Sequence, residues 1–132
     1  MADDGVKRPD TGAALAGLKD FQANTVHYAF RQLYEEGGSK RFLVADEVGL
    51  GKTLVAKGVI ARTIDHLWDE MDGEEKLRID VLYICSNADI ARQNIDRLRI
   101  RGYPHMALAT RITLLPIRVK DLRKQRLNFV SF

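Results

Sequence analysis

The sequence predicts an α/β fold, a parallel sheet flanked by helices, from three observations. Residues 42–45 and 79–85 are apolar runs of strand length, and the second is apolar on both faces, as a strand covered on both sides would be. Each run is followed by a helical pattern, residues 54–68 after the first and a stretch opening near Asn87 after the second. The corner between the first strand and its helix is Asp46-Glu47-Val48-Gly49-Leu50-Gly51-Lys52-Thr53, a glycine-bearing loop of the kind that holds phosphate groups.

Residues 1–12 mix charge, Gly and Pro without periodicity and are expected to form a mobile leader, leaving 13–132 as one domain. Leu18, Phe21, Val26, Ala29, Phe30 and Leu33 recur at helical spacing, and Gly37-Gly38 supplies the stop. In the helix over 54–68, Ala56, Ile60, Ile64 and Trp68 stand at four-residue steps and predict an apolar stripe. The acidic stretch around residues 72–75 reads as a surface loop without the alternating oxygen ligands of a calcium site. After the strand at 79–85, Ser86 or Asn87 is expected to cap a helix, with Asp89 as a capping-box partner for Ser86. That helix runs through Ile90, Ile95 and Leu98 and stops near Gly102-Tyr103-Pro104. Residues 111–115 read as a third strand, 116–126 as a basic helix or loop, and 127–132 as a fourth strand that forms an exposed apolar edge.

The chain has 132 residues, enough for one domain with a usable core, and is 45% hydrophobic and 30% charged. Its net charge of +3 hides an uneven distribution. Seven acids lie between Asp65 and Asp80, and ten Arg or Lys residues lie between Arg92 and Arg126. The basic half points to an anionic partner or to a solvated face. Cys85 is the single cysteine, which excludes an internal disulfide and a cysteine-rich zinc site, and its apolar surroundings predict a reduced, buried thiol. His27, His66 and His105 lack ligand spacing. Without a secretory h-region or a membrane-length apolar run, the chain is expected to be cytoplasmic, with no membrane partner.

The loop has the chemistry of a nucleotide cradle. Gly49 and Gly51 lack a Cβ, so their amides can approach phosphate oxygens closely. Lys52 is placed to reach the outer phosphates, and the Thr53 hydroxyl is placed to ligate Mg²⁺. The following helix contributes free N–H groups and its positive dipole end. The remaining loop residues Asp46, Glu47, Val48 and Leu50 complete the expected binding stretch, although a consensus Gly is replaced by Asp46. The competing reading is a strand–turn–helix corner whose glycines only permit the turn.

Asp46-Glu47-x-Gly49-x-Gly51-Lys52-Thr53 resembles the first motif of superfamily-two DEAD/DEAH-like helicases, especially the N-terminal ATP-binding region of Swi/Snf-type DNA translocases, which carry Asp at the position of Asp46. Leu18-Lys19-Asp20-Phe21-Gln22 is similar to the glutamine motif of the same family, in which the amide selects ATP over GTP; a Gln amide can pair with the N6 and N7 edge of adenine. Asn87-Ala88-Asp89-Ile90-Ala91-Arg92-Gln93 resembles the next helicase motif, with Asn87 and Asn94 where the family has Pro and Trp. That resemblance implies contact with a nucleic-acid backbone through Arg92 and Gln93, with Arg111 a further candidate from the basic half; an ordinary surface connection is the other reading.

The resemblance implies a partial RecA-like P-loop domain binding ATP and Mg²⁺, with DNA as a weak, non-specific partner. No apolar run other than 42–45 ends in the Asp-Glu pair that would hold Mg²⁺ and orient the attacking water, and the strand at 42–45 already feeds the loop. The expectation is therefore ATP binding as the N-terminal fragment of a helicase or DNA translocase, with catalytic residues unassigned and the rest of the motor as a partner. The alternatives are a small phosphotransferase using the same loop and a non-enzymatic nucleic-acid-binding remnant.

Overall fold

The computed structural model describes residues 8–70, 78–101, 105–109, 115–123 and 127–131. Among these, five helices carry most of the structure: α1 (Thr11–Ala16), α2 (Asp20–Tyr34), α3 (Lys52–Asp69), α4 (Ala88–Leu98) and α5 (Leu115–Leu122). Three five-residue strands accompany them: β1 (Ile79–Tyr83), β2 (His105–Ala109) and β3 (Leu127–Ser131).

The expectation of a RecA-like P-loop domain on a parallel sheet is overturned. The described chain is mostly helical, and its strands form only a small parallel patch of order β1-β3-β2. Residues 42–45, the strand that should have delivered the chain into the glycine loop, are not a strand at all. Leu43 is 83% exposed, and the Phe42 ring is spent edge-on against Tyr28, with centroids 5.7 Å apart. A strand persists only where a neighbour takes its amides and carbonyls and a core takes its side chains. Among the described residues no strand pairs with 42–45, and Phe42 and Val44 are only half-buried, so their β-forming composition goes unused.

Other expectations shift as well. β3 was to be an exposed edge, yet it lies between β1 and β2 in the register Ile79↔Leu127 and His105↔Leu127. The strand expected at 111–115 falls largely outside the described residues, and Leu115 opens α5 instead. β2 lies where the sequence pattern predicts no strand. β1 ends at Tyr83 and is covered on one face only: Ile79 is buried, whereas Leu82 is 60% exposed. Cys85 is half-buried rather than buried, and its thiol donates to Asn87 O at 3.4 Å.

The core forms where α3, α4 and the covered face of β1 meet. Ala61, Ile64, Ile79, Ile95, Leu98 and Ile100 are its buried members, with Val81, Tyr83 and Trp68 packed against them. The buried face of α3 is Val55, Gly58, Ala61 and Ile64, one step round from the expected stripe, and Ala56 is exposed. α4 starts where the sequence indicates: the Asn87 side chain accepts from the amides of Asp89 and Ile90 at 3.0 and 3.1 Å.

Part of the expected leader is tied down. Arg8 pairs with Asp65 at 2.9 Å and Asp69 at 2.6 Å, Thr11 Oγ1 donates to Asp65, and Asp10 N donates to Arg101 O at 3.0 Å. Hydrogen bonds to Asp69 and Asp65 raise the Arg8 guanidinium above its ordinary pKa. No described helix is long and apolar enough to cross a membrane.

Candidate functional site

The glycine loop sits between a helix it is bonded to and a helix it opens. Gly49 has φ 91° and Gly51 has φ 80°, both in the left-handed region where a Cβ is strained. Gly51 is the N-cap of α3, and its carbonyl accepts from Leu54 N at 2.9 Å and Val55 N at 3.1 Å. Lys52 and Thr53 are then the first two residues of an eighteen-residue helix, where amides have no acceptor inside the helix and the dipole is positive. The sharp turn exists because two residues there can take positive φ, and the sequence supplies both glycines.

Lys52 turns back over the loop. Its Nζ donates to the carbonyls of Asp46 at 2.9 Å and Glu47 at 3.1 Å, and Leu50 N donates to Glu47 O at 3.4 Å. The loop is thus closed around its own ammonium group. Asp46, Glu47 and Val48 are exposed, Val48 almost completely, and the Thr53 side chain is half-buried. Lys52 itself remains open to solvent, so an arriving anion can reach it.

Gln22 reaches the loop from α2, twenty-eight residues away in sequence. Its Nε2 donates to Leu50 O at 3.0 Å, its Oε1 accepts from Lys19 N at 3.0 Å, and the residue is 4% exposed. The second bond is half of a capping arrangement, a Gln three residues into a helix bonding back to the N-cap amide. With Lys rather than Ser, Thr, Asp or Asn at the N-cap, only Gln22 supplies half of that signature in the sequence, and the bond to Leu50 O has no sequence signal at all. A Cβ on Gly51 would collide with the Gln22 amide nitrogen, so the missing side chain at 51 makes room for the contact.

Gln22 and residues 46–53 therefore converge on one place. Arg92 and Gln93 do not join them: both are exposed on α4, and no hydrogen bond or ion pair among the described residues links them to the loop. Arg92 lies 3.8 Å from Asp89, and Arg99 lies 3.0 Å from Asp96, which neutralises part of this basic surface. Arg111 lies outside the described residues. An open cavity of about 390 Å³, lined by Leu15, Phe30, Arg62, Asp65, His66 and Asp69, is elsewhere. Asp65 lies fourteen residues beyond Gly51, about 20 Å along the axis of α3, and is already held by Arg8.

Among the described residues, no group of three or more His, Cys, Asp or Glu side chains could hold a metal ion. In the loop, Thr53 offers a single hydroxyl at the start of α3, which by itself does not make a metal site. No protein-family model matches the chain, and no curated protein or solved structure matches it either.

Proposed function

We propose that this chain binds ATP with Mg²⁺ at the loop of residues 46–53. The observation that carries the reading is the convergence of Gly51, in the left-handed conformation, with Lys52 at the start of α3. Two positive-φ glycines, the unpaired first amides of a long helix and an exposed ammonium group surround one turn. The amides would hold the inner phosphates, Lys52 the outer ones and the Thr53 hydroxyl the Mg²⁺. Lys52 would exchange its neutral carbonyl partners for phosphate oxygens, whose full negative charge makes the stronger hydrogen bond. The metal, when bound, would neutralise charge between the phosphates.

The wider part of the proposal is that this binding serves a helicase or DNA translocase, with α4 against a nucleic-acid backbone. It rests on the resemblances at residues 18–22, 46–53 and 87–93 and on the exposure of Arg92 and Gln93.

Calorimetric titration with ATP and Mg²⁺ tests the first part. Binding by the unaltered chain should be lost in Lys52→Ala, because no other cation is hydrogen-bonded to the loop among the described residues. Equal affinity in both proteins would show that the phosphates do not lie where we place them.

A further inference from the structure

We infer that Gln22 is a positioning residue that latches the phosphate loop, acting on nucleotide through Leu50 and Gly51 rather than by touching the base. The inference rests on the ATP-binding reading of the loop. Its ground is the environment of the Gln22 amide. One end holds Lys19 N, the other holds Leu50 O, both at 3.0 Å, and only 4% of the residue is open to solvent. One amide N–H and one oxygen lone pair remain, but the residue is buried, so reading the base would require the amide to leave the loop.

The bond to Leu50 O matters because of where Leu50 stands. It immediately precedes Gly51, whose φ of 80° directs the chain into α3, and it follows Gly49 with φ 91°. Between two residues that can take positive φ, the peptide planes on either side of Leu50 are free to reorient unless a partner holds them. Lys52 grips Asp46 O and Glu47 O on one side of the loop, and Gln22 grips Leu50 O on the other. Rotation of the Leu50–Gly51 peptide turns the Gly51 amide with it, because carbonyl and amide share one plane. The Gln22 latch thus sets the direction of an N–H in the cradle. Its energetic effect belongs to the phosphate end of a nucleotide, which ATP and GTP share.

Gln22→Glu tests this in the 132-residue chain. It keeps the size and the acceptor for Lys19 N but places an oxygen against Leu50 O. Gln22→Met, of similar volume and without polar atoms, is the second variant in case a buried carboxylate impairs folding. Calorimetry with ATP and with GTP, each with Mg²⁺, should show both affinities falling by the same factor. That factor should be roughly two- to tenfold, the effect of one hydrogen bond. Amide hydrogen exchange without nucleotide should accelerate at Leu50, whose N–H is bonded to Glu47 O, while the C-terminal half of α3 keeps its protection. Loss of ATP affinity with GTP affinity intact would overturn the latch in favour of base reading, and unchanged affinity for both would remove its role in binding. If the unaltered chain binds no nucleotide, the phosphate-loop reading itself fails and the functional role of the latch with it. The exchange measurement then still decides whether Gln22 holds the loop, and unchanged exchange in both variants overturns that too.

Discussion

A single missing methyl group at residue 51 does two jobs. Gly51 takes φ 80°, which costs an L-residue about 1–2 kcal/mol, and it leaves room for the Gln22 amide. Gly51→Ala should therefore cost about 1–3 kcal/mol in urea unfolding and weaken ATP binding at the same time. Gly49 separates the two effects: its φ is 91°, but a Cβ there would meet nothing within 4 Å. Gly49→Ala should show strain alone, about 1 kcal/mol, with exchange at Leu50 unchanged. If both substitutions cost the same, the contact between Gly51 and Gln22 contributes nothing measurable.

At the scale of elements, α2 and α3 meet closely because Gly58 lies between them. A Cβ at Gly58 would stand 2.7 Å from Val26 Cγ2 and 3.0 Å from Leu18 Cδ1. Gly58→Ala adds about 1 kcal/mol of helix propensity but forces a methyl into a filled contact, which costs about 1–3 kcal/mol. Overpacking wins, and the expected net loss is about 1 kcal/mol, read as a lower urea midpoint with an unchanged slope. The same change should disturb the loop, because α2 carries Gln22 and α3 carries Lys52. A stabilised Gly58→Ala protein would mean that the two helices separate without cost. α4 depends on a different device, its Asn87 cap, and Asn87→Ala should destabilise the chain by about 1 kcal/mol in the same assay.

At the scale of the whole molecule, opposite charges are paired within each surface. Asp65 and Asp69 at the C-terminal end of α3 bind Arg8, so an N-terminal residue is fastened to the acidic end of the longest described helix. α4 presents Arg92, Arg97 and the following Arg99 with Asp89 and Asp96 among them. DNA binding by that surface should accordingly be weak and governed by salt. Two phosphate contacts imply about a tenfold fall in affinity between about 50 and about 200 mM salt. Fluorescence anisotropy with a labelled duplex measures it, and Arg92→Ala should flatten the salt slope by about one unit. Binding that ignores salt, or none at low salt, would rule out a phosphate-contacting face.

The sequence by itself determined the local features. The spacing of Val26, Ala29, Ile64 and Ile95 produced helices, Asn87 produced a cap, and Gly49 with Gly51 produced a turn ahead of Lys52. Each is settled by neighbours within a few residues, through dihedral preference, capping or the 3.6-residue period. Tertiary structure decided which apolar runs became strands and where they lie. Residues 79–83 pair with β3 and residues 42–45 have no strand partner among the described residues, although both read as strands, because a strand is completed only by hydrogen bonds to another strand, here 48 residues on in sequence. The same reason hid the contact from Gln22 to Leu50, two residues twenty-eight positions apart whose meeting depends on how α2 packs against α3. The turn of Gly49 and Gly51 ahead of Lys52 was legible because a glycine turn opening a helix is a local object, whereas the amide bonded to Leu50 O belongs to another helix.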